Sequence, residues 1–255
     1  MWRGLLALMA LGMVPAPAAA QDPVLVPDVS RNKIDIQYSF SGEDLLLFGA
    51  IVYPRGRLPD SRADIVVVLK GPTRRITLRE KQKVAGIWIN ADSTRFRSVP
   101  GFYAIASSRP IDQLVDERTA AIYELGIANL QLSPASGADA QRQQRFEKGL
   151  IDLNERHELF SERPSAVEIR QGVLYRATLP VPARVPVGRY TAETFLISNG
   201  RVLAVASRDV EIRKSGFERF VAMAAQRYGF LYGLVATLVS LGFGYGAALL
   251  FRRRA

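Results

Sequence analysis

The chain has 255 residues, a net charge of +10 and a pI near 10.1, which leaves room for one or two folded domains with a real core. It has no cysteine and a single histidine, His157; this excludes disulfides, thiolate nucleophiles, Cys-based zinc or iron–sulfur sites and any His pair for a metal. So basic a balance suits nucleic acid, anionic lipid or an acidic partner, and location must choose among them.

The N-terminus makes that choice. Arg3, the apolar stretch Gly4 to Val14 and the small residues Ala18-Ala19-Ala20 before Gln21 read as a secretory signal peptide over residues 1–20. An uncleaved anchor fits less well, because the run is too short to span and is closed by Pro15 and Pro17. Export removes nucleic acid as a partner.

Residues 21–110 read as a β-sandwich lobe. Ile34, Ile36, Tyr38 and Phe40 alternate with polar residues, as in a half-buried strand. Leu45 to Tyr53 and Asp64 to Lys70 are apolar on both faces, the pattern of central strands covered on each side. Further strands are expected at Arg75 to Val84, Gly86 to Asn90, Arg95 to Ser98 and Gly101 to Ser107. Many short strands at this spacing predict an immunoglobulin-like antiparallel sandwich.

From Pro110 the period becomes helical. Ile111, Leu114, Val115, Arg118 and Ile122 predict a helix to about Leu130, and a second runs from about Ala138 to Phe160, so residues 111–160 read as a helical hairpin. Strands return over 161–214, at Ala166 to Gln171, Val173 to Leu179, Arg189 to Ile197 and Arg201 to Ile212. Asn199-Gly200 marks a two-residue type I′ hairpin turn. These strands form either a second lobe, the preferred reading, or the complement of the first.

Ser215 and Glu218 match a capping box. The membrane-proximal helix they start, 215–227, is expected to run unbroken into the apolar stretch 228–251, which carries no charge and has the length of a transmembrane helix. Arg252 to Arg254 begin a short tail, 252–255, placed in the cytoplasm with the bulk of the chain in the periplasm, anchored in an inner membrane. The local charge count opposes this, with Arg208, Arg213, Lys214, Arg219 and Arg227 just outside. The signal peptide takes precedence, since long domains translocate largely regardless of charge.

Several stretches carry a resemblance. Gly216-Phe217-Glu218-Arg219-Phe220 with Leu231-Tyr232-Gly233-Leu234, the segment Gly86 to Asn90, Pro100-Gly101-Phe102-Tyr103 and Ser41-Gly42-Glu43-Asp44 together resemble the alphaproteobacterial putative transmembrane protein family over almost the whole mature chain. The resemblance implies a signal peptide, an exported domain, one C-terminal span and no established activity. It also implies an accessory role, because members tend to be encoded beside a permease similar to sulfite exporters. The family has no agreed functional residues to carry over, and this span holds additional glycines.

Two candidate sites follow from the residues. Gly229, Gly233, Thr237, Ser240, Gly244 and Ala248 recur three or four apart in the span, with Gly242 and Gly246 as a second pair. Such small-residue spacing lets helices approach closely, against a permease helix or a second copy, although glycine is also simply frequent in spanning helices. Arg75, Arg79, Lys81 and Lys83 share a strand face with Thr77, and Arg95 and Arg97 repeat the theme. This face could meet anionic headgroups or an acidic partner; the plainer account is a solvated, edge-protecting surface.

Trp88, Phe102 and Tyr103 read as core rather than as a stacking cluster. Glu43 and Asp44 read as a turn rather than a calcium loop, and His157 as a helix-face residue. No GxSxG or phosphate-loop motif occurs. No catalytic, cofactor or metal site is expected, and the protein reads as a non-enzymatic binding or scaffolding component of a membrane transport or envelope complex. The alternative is an anion-binding sensor or enzyme using the basic face. A polar pocket beside Arg75, Arg79 or Arg95 would favour that alternative; an exposed apolar patch on a solid β core would favour the scaffold.

Overall fold

The structure, a computed structural model, describes residues 23–36, 42–56, 62–134, 139–214 and 217–252. Its strands are β1 Val24–Val29, β2 Lys33–Ile36, β3 Gly42–Val52, β4 Asp64–Lys70, β5 Thr73–Val84, β6 Ile87–Pro100 and β7 Tyr103–Ser107. After these come β8 Ser133–Pro134, β9 Phe160–Arg163, β10 Val167–Arg170, β11 Leu174–Pro182, β12 Gly188–Ser198 and β13 Arg201–Lys214. The helices are α1 Glu117–Tyr123, α2 Ala140–Arg156, α3 Phe217–Arg227 and α4 Gly229–Arg252.

The chain is mainly β. A four-stranded sheet, β1-β3-β11-β10, faces a six-stranded sheet, β2-β13-β12-β4-β7-β9. Leu45, Leu47 and Ile51 of β3 and Tyr175, Leu179 and Val181 of β11 meet Ile65, Val67 and Leu69 of β4 and Tyr190 and Leu196 of β12 in one buried cluster. Each such side chain contributes about 2 kcal/mol by leaving water. On its other face the six-stranded sheet turns Val66, Val68, Ile105 and Phe195 against Phe96 and Val99 of β6 and Phe146 and Leu150 of α2. β4 is buried from Asp64 to Leu69 because it is covered on both sides, as its unbroken apolar run predicts.

Four expectations are corrected. Residues 161–214 are not a second lobe: β11 pairs with β3 from Leu174↔Ala50 to Pro182↔Gly42, and β12 pairs with β4 from Thr191↔Lys70 to Ile197↔Asp64. The late strands complete the early sheets, since neither set alone could cover β3 and β4. The sheets are not purely antiparallel, because β2 runs parallel to β13 and β9 parallel to β7.

Nor is 111–160 a hairpin of two long helices. Its first half holds only α1, between short 3₁₀ turns at Ile111–Gln113 and Ile127–Asn129. Asp116 caps α1 by accepting from Thr119 N at 2.9 Å, and Glu124 ends it with φ 52°. The 3₁₀ turn buries Ile111 and Leu114 without a longer helix, and leaves Ile122 exposed. Finally, Leu45 to Tyr53 is covered on one side only. Phe48 and Val52 face outward from the four-stranded sheet, which carries no layer over its outer face among the described residues.

The Asn199-Gly200 turn forms as expected, with φ 50° and 78°, between β12 and β13. α3 and α4 are two helices rather than one. They meet at Tyr228, across which Tyr228 N donates to Ala224 O and Tyr232 N to Tyr228 O, each at 2.9 Å. Gly229–Ala247 of α4 is long and apolar enough to cross a membrane. The expected signal peptide, the Ser215 cap and residues 253–255 lie outside the described residues.

Candidate functional site

β5 and β6 form a long hairpin arm that leaves the body between Pro72 and Gly101, joined near its root by β8 in a three-stranded sheet. At its root Gly71 N donates to Phe102 O (2.8 Å) and Gly101 N to Pro72 O (2.9 Å). A Cβ on Gly101 would lie 2.8 Å from Arg74 Nε and 2.9 Å from Pro186 Cγ, so the crossing needs a residue without one. At the tip Val84 pairs with Ile87 around Ala85-Gly86, whose φ values of 49° and 85° are those of a type I′ turn.

Strand alternation sorts the arm into two faces. Arg75, Thr77, Arg79, Lys81 and Lys83 share one face of β5, with Arg95 opposite Thr77 and Trp88 opposite Lys83 on β6. The predicted basic face is thus brought together, and each of its cations is exposed. Arg97 lies in the irregular stretch between Phe96 and Ser98.

The other face carries Ile76, Leu78 and Phe96 into the second core cluster, with buried Thr94 opposite Leu78. α2 clamps the arm at mid-length. Arg142 bonds Asp92 and reaches Ser93 O at 2.9 Å, and Arg145 pairs with Asp92 at 3.0 Å and with Glu80 at 3.2 Å. Desolvation pushes the Asp92 carboxyl up, but its bonds from Arg142 and from Ser93 N, with the charges of Arg142 and Arg145, together outweigh that and hold it below the ordinary carboxylate range. These ion pairs leave Arg75, Arg79, Lys81, Lys83 and Arg95 unused.

Beyond the clamp nothing among the described residues covers the arm. Residues 81–91 are all exposed, and their inner face continues the apolar stripe through Ile89, Ile87 and Val84 with no body left beneath it. Trp88 is 65% exposed and Ile87 68%. Trp88 is therefore not core, contrary to expectation; Phe102 and Tyr103 are, each fully buried. Tyr103 Oη donates to Glu124 O at 2.7 Å and accepts from Gly126 N at 3.0 Å, and its burial pushes the phenol far up. Sequence reasoning missed the overhang. The signal available was the run Lys81 to Ala91, which mixes cations and large apolar residues without a single acid.

In α4 the predicted stripe Gly229, Gly233, Thr237, Ser240, Gly244 and Ala248 lies on one face by helical spacing. Thr237 Oγ1 donates to Gly233 O and Ser240 Oγ to Ala236 O, each at 2.9 Å, so both hydroxyls are satisfied within the helix. A Cβ at Gly229, Gly233, Gly242, Gly244 or Gly246 would meet no other part of the described chain. Gly242 and Gly246 fall on a different face, since each residue turns the helix by about 100°.

Glu43 and Asp44 lie in β3 rather than in a turn, and Glu43 pairs with Arg31. With Glu155, Glu158 and Arg163 they line a cleft of about 460 Å³. His157 is exposed at the C-terminal end of α2. Among the described residues no group of three or more His, Asp or Glu is arranged to hold a metal.

Two facing sheets, an overhanging arm and one helix of spanning length define the class: a mainly β protein with a C-terminal apolar helix of membrane type. The chain belongs to the family described as "Putative transmembrane protein (Alph_Pro_TM)", whose model matches residues 24–253. No curated protein and no solved structure matches it.

Proposed function

We propose that this is a single-pass inner-membrane protein whose exported β body binds or scaffolds an envelope or transport complex, with a permease or a second copy packed on α4. The observation that carries the reading is the small-residue face of α4. Gly229, Gly233, Thr237, Ser240 and Gly244 follow one another at helical spacing, and without a hydrophobic drive between helices, close backbone approach is where membrane helices gain packing energy.

An exposed apolar patch supports binding over catalysis. On the outer face of the four-stranded sheet Val24 lies opposite Val52, and Val26 and Leu174 flank Ala50. Val24, Val52 and Leu174 are each more than half exposed. Lone surface hydrophobics mean little, whereas a contiguous set marks an interaction surface. The signal peptide, the periplasmic body and the cytoplasmic C-terminus belong to the same proposal and rest on the sequence pattern at 1–20.

We also infer that the sandwich is immunoglobulin-like. The order β1-β3-β11-β10 against β2-β13-β12-β4-β7 corresponds to A-B-E-D against A′-G-F-C-C′, with the arm inserted after C and the helices after C′. The parallel β7–β9 pair departs from that pattern.

Because the chain has no native cysteine, a cysteine at Thr237 crosslinks through the stripe alone. Crosslinks in native membranes to a second copy or to another span, lost on Gly233→Leu/Gly244→Leu, are expected. Crosslinking that survives the leucines would overturn the reading.

A further inference from the structure

The overhanging end of the arm mixes features that a solvated hairpin does not need. Val84, Ile87, Trp88 and Ile89 are exposed together at the end of a rigid type I′ hairpin, although exposed apolar clusters are costly in water. Lys81 and Lys83 stand immediately behind them, on the face that continues through Arg79, Arg75 and Arg95. Glu80 and Asp92 are both engaged by α2. The tip therefore presents apolar side chains backed by cations, with Trp88 directly across from Lys83. Indole favours the boundary between water and hydrocarbon, lysine reaches from there into the headgroups, and each near-surface cation gains about 1 kcal/mol from anionic lipid.

The fold also roots the arm at the end of the sandwich that leads to the span. β4 and β13 both run antiparallel to β12 and so in the same direction. The arm leaves β4 through Pro72, which packs against Gly188. Gly188 in turn lies opposite Ile212, two residues before β13 ends at Lys214. β5 is about 40 Å long as a strand, whereas α3, which separates the body from α4, is about 16 Å long. An arm of that length, rooted at this end, would let its tip meet a bilayer at the start of α4.

We propose that the β5–β6 tip is a second membrane contact: Val84, Ile87, Trp88 and Ile89 insert at the interface of a bilayer carrying anionic phospholipid, with Lys81 and Lys83 on its headgroups. The inference rests on α4 being the anchor and fixes how the body is held against the membrane. A body tied at both α4 and the arm tip presents one defined side to a membrane partner.

The test uses the mature chain, from Gln21, in single-copy nanodiscs, where Trp88 is the sole indole. Emission is read in anionic and in zwitterionic lipid, each with a lipid brominated near the headgroup. Docking predicts blue-shifted emission and strong quenching in anionic discs only. In Lys81→Gln/Lys83→Gln the ratio of docked to undocked tip should fall roughly 25-fold, two charges at about fivefold each. Val84→Ser/Ile87→Ser should also release the tip, and all four positions are exposed, so the fold survives these changes.

Trp88 left unquenched in anionic discs overturns the proposal, as does equal quenching in zwitterionic lipid. A blue shift that grows with protein concentration in lipid-free detergent overturns it in favour of a second copy. A chain that fails to enter discs at all refutes the α4 anchor instead, which keeps the two failures apart.

Discussion

Phe96→Ala tests whether the arm is an integral part of the body. Phe96 is 1% exposed, faces Ile76 across the arm and pairs with Pro134 of β8. It sits in the cluster that joins the arm to α2 and the six-stranded sheet. Truncating a buried phenylalanine costs about 3–5 kcal/mol through lost burial and the cavity left behind. With a urea m-value of about 2 kcal/mol per M, the unfolding midpoint should fall by about 1.5–2.5 M. The assay is urea titration of the full chain in micelles, followed by far-ultraviolet circular dichroism of the β body. The matched control is Ile87→Ser, on the same face of β6 but 68% exposed, which should change stability by no more than about 0.5 kcal/mol. A Phe96→Ala loss below about 1 kcal/mol, or an equal loss for Ile87→Ser, would refute the division of the arm into a packed root and a bare tip.

Further outcomes follow from other residues. Asp64 is buried. Burial pushes its carboxyl up, but bonds from Arg109 Nε (3.1 Å) and Ser108 Oγ (2.8 Å) outweigh this and hold it below its ordinary range. A lowered native pKa adds stability above about pH 4 that disappears as pH falls through the native value. Asp64→Asn should therefore cost about 1–3 kcal/mol at pH 7, and the gap to wild type should narrow on acidification; a widening gap in urea midpoints would contradict the assignment. Tyr103→Phe strands Gly126 N and Glu124 O and should cost about 1–3 kcal/mol by the same titration. Ala85 pays for a left-handed φ of 49°, so Ala85→Asn should raise stability by about 0.5–1 kcal/mol. Because hydrogen bonds carry through Tyr228, protease in native membranes should cut slowly between Gly216 and Arg227, and rapid cleavage there would show a loose tether.

The sequence was most legible where one local rule decides the outcome. The run Asp64 to Lys70 is a central strand, and Asn199-Gly200 makes its turn, because burial on two sides and positive φ each select residue types directly. Leu45 to Tyr53 shows the limit: an apolar run cannot distinguish a strand covered on both sides from one whose outer face is left bare. Ile111, Leu114 and Val115 suited a long helix, yet a 3₁₀ turn puts the same side chains in the core. The alternation of β5 was readable, and so was its basic face. The sequence predicts two strands, Gly86 to Asn90 and Arg95 to Ser98, where β6 is one; Ala91 is the extra residue where the register shifts between Glu80 and Lys81. The acid-free run Lys81 to Ala91 is the one local mark of where α2 stops covering the arm, and the ordinary preference of strand aromatics for the core hides it at Trp88. The late strands found their partners through pairings more than a hundred residues apart in sequence, which spacing alone does not encode.

The crossing of the membrane by α4, with the β body on one side of it, can be tested directly. Single cysteines introduced into this cysteine-free chain, at exposed Ser207 of β13 and at Arg254, can be challenged with an impermeant maleimide on intact spheroplasts. Labelling at 207 alone, with 254 reacting only after the membrane is opened, is the expected result. Labelling of both positions from outside, or of neither, would contradict it.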